Sequence, residues 1–389
     1  MQSMYFTEEH QLFRQSLKDF LQKEVVPHIE KWESTGAIDR FIWEKFGEMG
    51  YFGLATPETN GGLGLDLFYT VILLEELQKI NSGGFAAAIW AHAYLAMTHL
   101  NKNANDAQKD TYLTPSVNGE KIGCLGITEP FGGSDVAGMR TTATRKGNSY
   151  IINGSKTFIT NGVYGDYIIL AAKTDPAAGN KGVSMFIVDL DSPGVSANKL
   201  NKLGWRASDT AELAFDNVEV PAANLMGREG KGFAFIMEAF ALERLIMGIN
   251  AHARAEYALE YALQYMSERE TFGKPIDQYQ ALRHRFVDLY ADLELCKHYN
   301  YAVVDRMDQG DYVVRETTIS KLKSTKMADE VIYDCLQFLG GYGYMEDYPM
   351  ARLLRDSRLG PIGGGTSEIL KEIIAKIVID KKEYRSPRS

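Results

Sequence analysis

Residues 139–162 read MRTTATRKGNSYIINGSKTFITNG, and the fold turns on them. Thr, Ile, Tyr and Phe recur here in short runs separated by turn residues, the texture of strands rather than of an amphipathic helix. Asn153-Gly154 lies between two such runs and is a strong hairpin signal. The same texture continues through DYIILAAK (166–173), GVSMFIVDLD (182–191) and ELAFDNVEV (212–220). On both sides the pattern becomes helical. Upstream, Thr7 caps a segment with Glu8 and Glu9 in its first turn and Leu12, Phe13, Leu17, Phe20 and Leu21 along one face. Pro27 then kinks or ends it. The loop TNGGLGLD leads to Asp66, a cap for LFYTVILLEELQKI, and a further helix runs through AAAIWAHAYLAMTHL. Downstream of MGREGKGF, helices are expected over Phe233–Arg254, Glu256–Met266, Ala281–Met307, Thr317–Gly340 and Ser367–Ile379.

The expected fold class is therefore α+β and multidomain. A helical N-terminal domain covers 1–121, a β-barrel or sandwich covers 122–222, and a second helical domain covers 223–389.

Composition narrows the function. With 389 residues the chain is long enough for about two or three domains. Its 45% hydrophobic and 24% charged content is that of a soluble globular protein. A net charge of −9 argues against nucleic-acid binding, which needs a basic stripe. Cys124, Cys296 and Cys335 are far apart and odd in number, pointing to a reducing compartment. The histidines show no HExxH spacing or His/Cys cluster, so no metal is expected. The most apolar run, Phe85–Met97, is too short to cross a membrane. The start of the chain has no signal-peptide pattern, so a cytoplasmic location without membrane insertion is expected.

Within the second helical region, Phe233–Ala251 reads FAFIMEAFALERLIMGINA, with Glu238, Glu243 and Arg244 as its only charges. Apolar residues surround nearly the whole helical wheel, which predicts a buried helix. A carboxylate held away from water has a raised pKa and is a better base, unless a neighbouring guanidinium offsets the shift. The helix alone leaves two readings open, a structural ion pair and a proton-abstracting base.

Five further segments carry glycine, hydroxyl or aromatic residues where a ligand could approach the backbone. They are LGITEPFGGSD (125–135), TFITNG (157–162), SERETFGKP (267–275), QFLGGYGY (337–344) and GPIGGGTSEI (360–369). Singly, each also suits an ordinary turn or helix cap. No GxGxxG opens a helix after a strand and no GxxxxGK[ST] is present, which excludes Rossmann and P-loop nucleotide sites.

Taken in order and spacing, these segments resemble the acyl-CoA dehydrogenase family from about Thr7 to Lys381. TEPFGGSD is similar to the family's TEPGAGSD, and NGSKTFITNG to NGxKxWITNG. LGWRASDTAELAFDNVEVP, RETFGKPIDQYQ and LGGYGY match its later signatures. The resemblance implies a helical N-domain, a central β-barrel and a C-terminal four-helix bundle, usually assembled as a homotetramer. It implies FAD as cofactor, acyl-CoA as substrate and an electron-transfer flavoprotein as partner. Leu125, Ile127, Thr128, Gly133 and Ser134 would line the flavin, with Phe158, Ile159 and Thr160 against its ring. Arg269, Phe272, Gln280, Gln337 and Gly341 would come from another subunit to hold the pyrophosphate and adenosine end. Thr366 and Glu368 would meet the cofactor from the last helix. The implied reaction is α,β-dehydrogenation, in which a carboxylate takes the α-proton, flavin N5 takes the β-hydride and the Gly364 N–H polarises the thioester carbonyl.

Most family members carry the base in an E-G-T triplet, whereas this chain has Gly364-Gly365-Thr366. The long-chain and isovaleryl subgroups place it on the buried helix in a sequence like LERL, which Leu242-Glu243-Arg244-Leu245 matches. By that resemblance Glu243 is the base, with Arg244 supporting it and Leu242 and Gly365 beside the substrate. Phe131 replaces a small residue in the flavin loop, Phe158 replaces a common tryptophan, and Ala241 replaces an acidic residue that often contacts CoA. Two other readings keep the fold: an oxygen-using flavin oxidase or monooxygenase, and a non-catalytic, DNA-associated member. Chain length disfavours the oxidase, and acidic charge disfavours the DNA-associated form.

Overall fold

The computed structural model describes residues 4–384. The first helical region holds α1 (Glu8–Phe20), α2 (Ile29–Thr35), α3 (Arg40–Glu48), α4 (Leu67–Lys79), α5 (Gly83–Trp90), α6 (Met97–Asn103), α7 (Asp106–Gln108) and α8 (Thr114–Val117). Thr7 caps α1 by accepting from the His10 N–H, and Asp66 caps α4 by accepting from the Phe68 N–H. After Phe20 the chain passes through a π-helical turn and a tight turn containing Pro27 before α2. The bend falls at the ring that cannot donate a helical hydrogen bond.

The middle region is one sheet of β1 (Gly123–Gly126), β2 (Thr142–Lys146), β3 (Ser149–Thr160), β4 (Tyr167–Lys173), β5 (Val183–Asp189), β6 (Val195–Lys199), β7 (Thr210–Pro221) and β8 (Leu225–Met226). The ladder runs β6-β7-β3-β2-β4-β5-β8, with β1 parallel to β4. Strands β4 and β5 are buried on both faces, and the period of two separates their partners. Ile168, Leu170, Phe186 and Val188 pack within the sheet's own core, with Leu213 and Val218 of β7. Tyr167, Ile169, Met185 and Ile187 belong to the core shared with the helices.

The hairpin is displaced from its expected place. β2 and β3 turn at Gly147-Asn148, with Lys146 opposite Ser149. Asn153-Gly154 lies inside β3 at an irregularity in its pairing with β7. Gly154 has φ +148, and a β-carbon there would come 2.5 Å from Thr141 Oγ1. Its glycine serves a bulge and close backbone approach instead of a turn.

The last region holds α9 (Gly232–Glu268), a two-strand hairpin of β9 (Glu270–Thr271) and β10 (Lys274–Pro275), then α10 (Gln280–Asp308), α11 (Val314–Phe338), α12 (Pro349–Ser357) and α13 (Ser367–Val378). The two helices expected over Phe233–Met266 are one helix of 37 residues, and α12 was not anticipated. Nothing near Ala255 breaks α9: residues 249–268 hold no Pro or Gly, and Ala251, Ala255, Ala258 and Ala262 are strong helix formers. A buried polar network fixes its rotation against α4. Gln78 donates to Asn250 and accepts from Arg254, while Glu75 meets His252 at 3.1 Å, Arg14 at 2.7 Å and the Tyr301 hydroxyl. Burial works against an ionised Glu75, yet the His252 and Arg14 contacts hold its pKa far below the usual carboxylate range. No helix among the described residues is long and apolar enough to cross a membrane.

Candidate active site

Glu243 sits where α9 passes from half-buried to buried. Residues 244–255 are all buried, whereas Phe240, Leu242 and Glu243 keep intermediate exposure. No hydrogen bond or ion pair among the described residues reaches its carboxylate, so the structural ion-pair reading loses its support. Arg244 is buried, with its guanidinium 5.9 Å from the Phe240 ring centroid and its Nε unpartnered. Burial pushes the Glu243 carboxyl above its ordinary value, with the Arg244 and Lys321 cations pulling the other way.

The triple-glycine turn ahead of α13 faces this carboxylate. Gly364 and Gly365 take φ +60 and +94, backbone that glycine adopts readily. A β-carbon on Gly364 would lie 3.1 Å from Glu243 Oε1 and 3.5 Å from Lys321 Cε. The Gly364 N–H donates to no acceptor among the described residues, leaving it free for a carbonyl oxygen. Thr366 caps α13 by accepting from the Ile369 N–H, with Glu368 exposed in the first turn. Lys321 escaped the sequence reading. It lies on α11 among Thr317, Ser320, Ser324 and Thr325, all buried, and nothing separates it in sequence from nearby Lys323 and Lys326.

Leu242 points elsewhere, into a cavity of about 380 Å³ that also meets Tyr94, Thr98, Met307 and Tyr312. Glu243 is not in that lining, because adjacent helical residues differ by about 100° in direction. Met247 and Asn250, further along α9, line a small space of about 20 Å³ with Trp90 and Trp205. That space has room for roughly one water.

The residues expected to line the flavin are positioned by the sheet. Thr128 O accepts from the Thr157 N–H, tying the loop to β3. Beneath it Lys156 Nζ meets Glu129 Oε1 at 2.7 Å and the Ile127 carbonyl at 3.2 Å, with both charged side chains buried. This pair also escaped the sequence reading. Gly133 and Ser134 are exposed, Leu125 and Thr128 are half-buried, and Ile127 is buried. Phe158 is 70% exposed at φ +61, where the β3–β7 register shifts. A bulky residue rarely adopts that backbone, and it turns the ring out of the sheet. Ile159, by contrast, points into the sheet's core, so its side chain cannot face a ligand beside Phe158. Thr160 is half-buried at the strand end.

Arg269, Phe272, Gln280, Gln337 and Gly341 are all exposed. They lie near the C-terminal ends of α9 and α11, on the β9–β10 hairpin and at the start of α10. Arg269 stacks 5.9 Å from the Tyr342 ring, and Phe272 is 99% exposed at φ +49. Arg269 caps the C-terminal end of α9, 26 residues beyond Glu243, a separation of roughly 39 Å at 1.5 Å per residue. Within one chain the two groups are therefore not brought together.

Family models match three successive stretches: the acyl-CoA dehydrogenase N-terminal domain over residues 7–120, middle domain over 124–218 and C-terminal domain over 230–379. The chain belongs to the acyl-CoA dehydrogenase family. It is 38% identical over 375 residues to the mitochondrial isovaleryl-CoA dehydrogenase of Pongo abelii, covering 95% of this chain and 88% of that protein. It is 36% identical over 380 residues to the mitochondrial long-chain specific acyl-CoA dehydrogenase of Sus scrofa, covering 97% and 88%. The crystal structure of an acyl-CoA dehydrogenase from Geobacillus kaustophilus superimposes with a TM-score of 0.94 at 39% identity, covering 96% and 99%.

As a member of this family the chain is an oxidoreductase acting on acyl-CoA, with FAD as its cofactor. The residues present fit a flavin. An outward aromatic at Phe158 offers a stacking surface, the half-buried Thr128 and exposed Ser134 offer hydroxyls, and the Gly132-Gly133 backbone is open to approach.

Proposed function

We propose that this enzyme converts a saturated long-chain or branched-chain acyl-CoA to the trans-2-enoyl-CoA, with Glu243 as the base. The convergence of Glu243 Oε1 on the β-carbon position of Gly364 carries the reading. The carboxylate on α9 reaches the space that a side chain at the turn would occupy, so a base from either position meets the same point. An acyl α-proton is very weakly acidic, so its removal needs a desolvated carboxylate and a donor for the carbonyl oxygen as charge develops there. Glu243 supplies the first and the free Gly364 N–H the second. Bound FAD supplies the acceptor for the β-hydride. Arg244 adds positive charge beside the base without pairing to it.

Electrons then pass to an electron-transfer flavoprotein. The enzyme works as a homotetramer in which the exposed group around Arg269 and Phe272 completes a neighbouring subunit's cofactor site. The roughly 39 Å between that group and Glu243 supports service to a second centre. Anaerobic mixing with acyl-CoA tests the base: wild type bleaches the flavin, and E243Q retains FAD without bleaching. Full bleaching by E243Q removes Glu243 from the reaction. A panel of short branched and long straight acyl-CoAs identifies the preferred chain.

A further inference from the structure

We propose that Lys321 is a positioning residue of this active site: it tethers the triple-glycine turn to α11 and holds a positive charge over Glu243. The inference rests on the reading of Glu243 as base and deepens it. Lys321 Nζ donates to the Gly365 carbonyl at 2.7 Å. The turn needs such a tether, because Gly363, Gly364 and Gly365 have no side chains to anchor it. Its flanks are fixed otherwise, by the Gly363 N–H to Leu359 O at 2.9 Å and the Ser367 N–H to Pro361 O at 3.0 Å. Between them the Lys321 bond sets the plane of the peptide after Gly365, the residue that follows Gly364 in the turn.

The ammonium bonds the carbonyl and forms no ion pair with Glu243, which leaves the carboxylate free to accept a proton. Its charge still favours the ionised form of Glu243. Arg244 is the other charged group facing Glu243. Tyr312 and Tyr384 face Arg244, and the turn contributes no ionisable side chain at Gly364 or Gly365. Burial lowers the Lys321 pKa to about 8, despite the opposing pull of Glu243. Below that value the ammonium keeps its charge, and its effect on the acid limb is read there.

The signs give distinct outcomes. Removing a nearby cation raises the base's pKa, so the rise of flavin-reduction rate with pH moves to higher pH. The limb is expected to move by about one to two pH units for a unit charge several ångströms away. At a fixed pH below the limb, each pH unit of that movement lowers the rate roughly tenfold. Anaerobic single-turnover reduction is measured from pH 5 to 9 on FAD-loaded K321M, K321Q and K321R. K321M and K321Q move the limb upward, and K321R, which keeps the charge, leaves it near wild type. K321Q also keeps a donor for the Gly365 carbonyl and carries the same readout if K321M does not fold. An unmoved limb in K321M or K321Q overturns the proposal. E243Q is run alongside. Bleaching by E243Q removes the base assignment itself, whereas an inert E243Q with an unmoved limb in the lysine variants removes only the role of Lys321.

Discussion

Returning a carboxylate to the turn should show that two positions in the sequence share one position in space. In G364E the new β-carbon begins 3.1 Å from Glu243 Oε1 and 3.6 Å from its Cδ. Gly364 has φ +60, and a left-handed backbone costs a non-glycine residue about 1–2 kcal/mol. Two ionised carboxylates about 4 Å apart repel by roughly 4 kcal/mol at an effective dielectric of 20. That repulsion strengthens binding of a shared proton roughly 1000-fold, so the pair titrates in two separated steps. G364E alone therefore lowers thermal stability and splits the pH profile. In E243A/G364E the repulsion disappears and one carboxylate remains. Anaerobic flavin bleaching should return to at least ~100-fold above E243A, yet stay ~100-fold below wild type, since a misplacement of about 1 Å costs that much. A double variant that retains FAD but bleaches no faster than E243A would refute the convergence.

Other outcomes follow from neighbouring geometry. K156M leaves Glu129 buried without its cation and should cost about 3–5 kcal/mol in chemical denaturation, with weaker FAD retention, whereas E129Q/K156M recovers part of the loss. Burial opposes an ionised Glu129, but Lys156 and backbone donors hold its folded pKa below the ordinary value. The corresponding stability is fully present above the unfolded pKa and is lost as pH falls through the lower folded pKa. An acid titration of wild type against E129Q, followed by tryptophan fluorescence, checks that direction. F158G relieves a positive-φ aromatic and should leave the melting temperature unchanged or raised while weakening FAD affinity about tenfold. Equilibrium dialysis with FAD and a thermal melt measure the two effects separately.

The alternation of helix, sheet and helix was legible because it rests on local period and on caps such as Thr7 and Asp66. The carboxylate of Glu243 was legible as a charge in an apolar run. Asn153-Gly154 misled because a hairpin turn and a bulge use the same glycine, and only pairing with β7 decides between them. The join within α9 was hidden because its alanines, read along one chain, carry little sign of what packs on them. Lys321 and Lys156 were missed for a similar reason. Both are buried through contacts far away in sequence, and a lysine in a helix or strand normally faces water. Among the residues expected at the flavin, the family resemblance did not distinguish Ile159, turned into the sheet core, from Phe158, turned out of it.

The single span of α9 has a further consequence for tolerance to change. Glu243 sits on this unbroken rod and Arg269 caps its end, so their spacing is set by a residue count. One inserted residue between them would turn one end by about 100° against the other and lengthen the rod by about 1.5 Å. Substitutions on its surface can drift, but its length is held as a gauge is held.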